Sequence, residues 1–133
     1  MRQCAVWAVA ATAIPSRSAD VHADTGGNRS ANDRPDVLCI GVGGRGMADA
    51  TSAARFGNVV AVCDADLRHA ERAREAFGGK AAVYQDYRKA LEHHGVDVVV
   101  NGTPDHWHTT INVAACRAGM DVYTEKPLTL TIA

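Results

Sequence analysis

D-V-L-C-I-G-V-G-G-R-G, residues 36–46, is the stretch on which the fold turns. Asp36 to Val42 is a short, almost continuous apolar run with β-branched residues, the pattern of a strand buried on both faces of a parallel sheet. Gly43 to Gly46 follows as a glycine-rich turn. Met47 to Phe56 then has helical spacing and stops at Gly57. Gly41, Gly43 and Gly46 fit G-x-G-x-x-G in the strand–turn–helix context that gives the pattern meaning. Gly41 permits the tight turn, Gly43 lets the backbone come close to a ligand, and Gly46 lets the helix pack closely on the strand. Gly44 and Arg45 complete the loop and are counted with its cofactor-binding residues. The first-turn N–H groups of the helix have no intrahelical acceptors, and the helix dipole adds attraction for an anion.

The pattern repeats outward from this unit. Val59 to Cys63 reads as a second buried strand, Asp66 to Phe77 as an amphipathic helix with Leu67, Ala70, Ala73, Arg74 and Phe77 on one face, and Ala81 to Tyr84 as a short third strand. Tyr87 to His94 reads as a helix stopped by Gly95, and Val96 to Asn101 as a fourth strand. Thr103-Pro104-Asp105 opens a helix running to about Ala118. Asp121 to Thr124 is a fifth strand, and 127–133 looks like a turn entering another helix. Alternation of this kind predicts an α/β fold, a Rossmann-type doubly wound parallel sheet in three layers.

Asp64 directly follows V-V-A-V-C, 18 residues beyond Gly46. Nucleotide-binding units place an acid there to accept from the adenosine ribose hydroxyls. Its charge would repel a 2′-phosphate, so NAD is favoured over NADP, although Arg45 and Arg68 could offset that repulsion. Asp64 could instead cap the next helix, a role that Asp66 fills at least as well. After the fourth strand comes N-G-T-P-D-H-W-H (101–108), at the carboxyl edge where ligands bind in open parallel sheets. Pro104 could fix a turn along a dinucleotide, and Trp107 could supply an apolar wall. His106 and His108 invite a metal, but on a helix they diverge by about 200°, so none is expected. Cofactor or substrate contact, or capping and packing, are the roles left open for them. Glu125-Lys126-Pro127 follows the fifth strand. Lys126 there could bond a substrate hydroxyl and the nicotinamide ribose and help move a proton, or stand solvated before a helix.

Composition sets bounds. The chain has 133 residues, 47% hydrophobic and 22% charged, and a net charge of -1. One domain of ordinary size is expected, with no electrostatic case for nucleic acid or an acidic membrane. Cys39, Cys63 and Cys116, with Cys4, form no C-x-x-C pair, and Cys39 and Cys63 read as buried small hydrophobes. Residues 1–34 read as a leader. An apolar stretch from Cys4 to Ile14 resembles a weak secretory signal, and 15–34 reads as a disordered linker. Export to the periplasm stays open, with a cytoplasmic location slightly favoured. The organised domain is expected over 35–133.

C-I-G-V-G-G-R-G (39–46), V-C-D (62–64), Y-Q-D-Y (84–87), T-P-D-H-W-H (103–108) and T-E-K-P-L (124–128), in this order, resemble the N-terminal domain of the Gfo/Idh/MocA oxidoreductases. The resemblance implies NAD(P) held by this domain and hydride exchange with a sugar, polyol or related hydroxyl carbon. It implies Gly41, Gly43 and Gly46 at the pyrophosphate, Asp64 at the ribose, and Thr103, Pro104 and His108 bordering the cofactor. Glu125 is counted with the cofactor residues, and Lys126 is implied beside nicotinamide and substrate. Family members carry a second α/β domain that covers the active site and often supports homo-oligomers. The expectation is therefore a truncated chain, incomplete in its sheet and inactive alone. A glycosidase using tightly held NAD and a non-catalytic nucleotide-binding module are the competing readings.

Overall fold

The computed structural model describes residues 33–131; the leader and most of the linker expected over 1–34 lie outside the described residues. Nine elements follow one another: β1 (Asp36–Ile40), α1 (Gly44–Ala53), β2 (Asn58–Cys63), α2 (Leu67–Ala76), β3 (Ala82–Tyr84), α3 (Tyr87–Ala90), β4 (Val98–Asn101), α4 (Asp105–Arg117) and β5 (Asp121–Thr124). All four strand pairings are parallel, in the order β3-β2-β1-β4-β5. The chain builds outward from β1 to β3, then returns to place β4 on the other side of β1. The reversal makes the carboxyl ends of β1 and β4 the switch point of the sheet.

Side chains of β1 alternate between two cores, as strand geometry requires. Val37 and Cys39 pack with Ala50 of α1 and Ala70 and Ala73 of α2. Leu38 and Ile40 pack with Ala90 of α3 and Ile111 and Ala115 of α4 on the opposite face. Helices thus cover both faces, and the Rossmann architecture read from the sequence is the one observed. Alanines at the helix contacts let helix and sheet approach closely, which is why a chain poor in aromatics fills its core.

Several boundaries differ from the sequence reading. Helix α1 begins at Gly44 rather than Met47, because the Met47 N–H already bonds the Gly43 carbonyl at 3.2 Å; glycines read as a turn before the helix form its first turn. In α2, Leu67 faces solvent rather than the core, since it is the first helical residue beyond the sheet edge. Helix α3 ends at Ala90 instead of His94. Beyond it the chain tightens into i→i+3 bonds, Glu92 N–H to Lys89 O and His93 N–H to Ala90 O. No helix follows Pro127 among the described residues. The Pro127 and Leu128 carbonyls face side chains of α4 instead of amides four residues on. Arg34, read as the last linker residue, bonds the carbonyls of Ala54, Arg55 and Gly57 and so belongs to the domain. No helix among the described residues is long and apolar enough to cross a membrane.

Candidate functional site

The glycine loop sits at the switch point. Gly41 has φ +77°, and a Cβ there would lie 2.6 Å from the Thr103 amide nitrogen. Its lack of a side chain serves the approach of the loop after β4 as much as the turn itself. Gly46 packs so closely that an added Cβ would fall on the Gly41 carbonyl oxygen. Gly44, with φ +34°, faces open space. Gly43 precedes α1 and offers no side-chain cap, and the first turn of α1 holds no acidic residue. The amides of that turn are therefore available to an anion arriving from the carboxyl edge.

Asp64 closes β2 beside this loop. One carboxylate oxygen accepts from the Val42 N–H at 3.0 Å and the other from the Asp66 N–H at 2.9 Å. His69 Nδ1 lies 3.6 Å away, and the same imidazole stands over Gly43. Each oxygen keeps a lone pair for a further donor, so ribose hydroxyls remain acceptable partners. The cap of α2 is Asp66, which accepts from the Arg68 N–H. Asp66 also holds the Arg68 guanidinium through Nε at 3.0 Å and Nη2 at 2.7 Å. These bonds hold its carboxyl well below the usual carboxylate range.

Two depressions flank Thr103 and Pro104. One, of about 440 Å³, is walled by Ile40, Asp64, Tyr87 and Trp107 at the ends of β1, β2 and β3. The indole of Trp107 lies 6.1 Å from the Tyr87 ring, and both rings line this depression. The other, of about 470 Å³, is bounded by Arg45, Asp105, Glu125 and Lys126 at the ends of β4 and β5. Lys126 is exposed on that wall, and its bond to Pro127 is cis.

Arg45 and Glu125, both read as cofactor residues, are first of all partners of each other. Arg45 Nε lies 3.0 Å from Glu125 Oε1 and its Nη2 2.9 Å, with Asp49 Oδ1 3.2 Å from the same Nε. The guanidinium hydrogen bond pulls the Glu125 carboxyl below its ordinary value. Burial pushes Asp49 the other way, against the attraction of Arg45, and its Oδ2 has no partner. The pair ties the glycine loop to the segment carrying Lys126.

His108 is 1% exposed; its ring nitrogens lie at the carbonyls of Pro127 and Thr103, and it contributes to the lining of the depression beside Lys126. His106 is exposed on the other side of α4; the two do not converge. Asn101 went unremarked in the sequence yet organises the loop. It is 1% exposed, accepts from Thr103 N–H and Oγ1–H, and donates to Asn112. A polar residue ending an otherwise apolar strand was the available signal.

A parallel sheet of this order, with a side-chain-free loop at its switch point and an acid closing the second strand, defines a dinucleotide-binding domain. Residues 35–133 match the Gfo/Idh/MocA family model, an oxidoreductase family with an NAD-binding Rossmann fold. The chain belongs to this family, and those residues are its NAD(P)-binding domain. It is 38% identical over 98 residues to inositol 2-dehydrogenase 4 of Saccharopolyspora erythraea, an alignment covering 69% of this chain and 29% of the relative. It is 34% identical over 110 residues to glycosyl hydrolase family 109 protein 2 of Shewanella, covering 75% and 24%. Among solved structures, myo-inositol dehydrogenase of Lactobacillus casei in complex with NAD(H) and myo-inositol is similar with a TM-score of 0.67 and 31% identity, over 73% of this chain and 30% of that one. The chain thus spans less than a third of the length of these relatives.

Proposed function

We propose that this domain holds NAD, in preference to NADP, for hydride exchange with a hydroxyl carbon of a sugar or polyol. The observation that carries the reading is the placing of Asp64 beside the uncapped start of α1, with Lys126 on the far side of the same switch point. The loop fits a diphosphate: it has open space over Gly44 and no acid in the first helical turn. In this reading α1 amides bind the diphosphate, and Asp64 accepts from the adenosine ribose. The depression walled by Tyr87 and Trp107 takes the adenosine end. The one beside Lys126 takes the nicotinamide end.

NAD preference follows from charge. The Asp64 carboxylate repels a 2′-phosphate. The two arginines that could offset it are engaged elsewhere, Arg68 with Asp66 and Arg45 with Glu125 and Asp49. When bound, the nicotinamide ring supplies the hydride acceptor. In this reading Lys126, in its neutral form, would accept the proton of the substrate hydroxyl whose carbon is oxidised. Substrates of the inositol kind named in the relatives suit a site whose polar wall is built from Lys126, Glu125 and Asp105.

Calorimetry on the 133-residue chain tests the reading. NAD should bind, and NADP should bind weaker by about tenfold, equivalent to about 1.4 kcal/mol. Asp64→Asn should narrow that gap. Absence of heat with both dinucleotides overturns the proposal.

A further inference from the structure

We infer that His108 is a positioning residue, a buried brace that sets the Lys126 segment against the loop after β4. The inference rests on the proposed reading of the Lys126 depression as the nicotinamide end. The imidazole lies with Nδ1 2.6 Å from the Pro127 carbonyl oxygen and Nε2 2.7 Å from the Thr103 carbonyl oxygen. Both partners can only accept, so each bond needs a proton on the ring nitrogen that makes it. A neutral ring serves one carbonyl at a time and the doubly protonated ring serves both. The charged groups around the same depression are Arg45 from α1, Asp105 from the first turn of α4, and Glu125 and Lys126 from the segment after β5.

The geometry explains why a histidine stands there. Thr103 is pinned from one side by Asn101, which accepts its N–H and its hydroxyl. His108 takes its carbonyl from the other. The same ring reaches the residue immediately after Lys126. Thr109 Oγ1 bonds the Leu128 carbonyl at 3.2 Å as a weaker, exposed second tie. A rigid aromatic ring with a nitrogen facing each carbonyl is thus the link between the two loops that bound the depression. Its tie to Pro127 bears on the nicotinamide end, whereas the Asp64 carboxylate is seated by the Val42 and Asp66 amides.

The test compares NAD with ADP-ribose, which lacks the nicotinamide ring, by calorimetry on the full chain and on His108→Phe and His108→Gln. Loss of the brace should weaken NAD by about tenfold in His108→Phe while ADP-ribose stays within about twofold, the size of one lost hydrogen-bonded contact. His108→Gln, which keeps a donor for one carbonyl, should recover part of the loss. Equal weakening of both ligands, or no weakening of either, overturns the inference. Should the variants fail to fold, nitrogen-15 NMR of the wild-type ring decides. A proton on Nδ1 supports the tie to Pro127, and a bare Nδ1 overturns it. Wild-type chain that binds ADP-ribose and NAD keeps the proposed function even if the brace fails. Wild-type chain that binds neither removes both.

Discussion

At Gly46 a side chain would meet the Gly41 carbonyl oxygen, whereas at Gly44 it would meet nothing and suffer only the positive φ. Two glycines two residues apart are therefore kept for different reasons, and a pair of substitutions separates them. Gly46→Ala should cost about 3 kcal/mol or more, as overpacking against backbone does. Gly44→Ala should cost about 1 kcal/mol from its left-handed conformation alone. Urea denaturation of the two variants measures the difference; equal costs would show that the close packing of α1 on the Gly41 turn is not what Gly46 serves. The residue scale is also where sequence reading was most uneven. The position of Asp64 at the end of a buried strand was legible in the sequence, since Asp66 supplies the cap of the next helix. The contacts of His108 were not, because its two acceptors lie five residues before it and nineteen after it.

Helices α2 and α3 begin alike, with an aspartate that accepts from the amide two residues on: Asp66 from Arg68, Asp86 from Arg88. For Asp66 the Arg68 side chain is the larger cause, and for Asp86 the Arg88 amide; in both the carboxyl is held below its ordinary value. A folded-state value below the unfolded one means stability that is present above about pH 4, the ordinary aspartate range, and is lost as pH falls through the depressed values. The double variant Asp66→Asn, Asp86→Asn keeps side-chain acceptors but not the charges. Its stability should fall less steeply than that of wild type on acidification, as followed by circular dichroism from neutral pH down. Parallel acid limbs would remove the caps from the account. At the centre of the sheet, Leu38 of β1 is wholly buried among α3- and α4-side residues. Leu38→Ala should cost about 2–5 kcal/mol by denaturant titration; a cost below 1 kcal/mol, on the order of a surface change, would contradict the two-faced burial of β1.

Across the described residues of the molecule, burial decides which thiols react. Cys39 and Cys63 lie on opposite faces of the sheet, and burial pushes both thiols up to about 12. Cys116 is exposed on α4. Maleimide labelling at neutral pH, read by peptide mass mapping, should mark Cys116 at once and Cys39 and Cys63 together only as the domain unfolds; early labelling of Cys63 alone would mean that the β2 end opens independently. The alternation of strands and helices, the glycine turn and the acid that follows the second strand were determined by the sequence alone. Those features are written in periodicities and spacings between chain neighbours. Strand order was left to the tertiary structure, and with it the meeting of Arg45 and Glu125, 80 residues apart, and the seat of His108 between two loops. Such contacts form only when the sheet places β4 and β5 beside β1, and no local pattern encodes which distant carbonyl or carboxylate a side chain will find there.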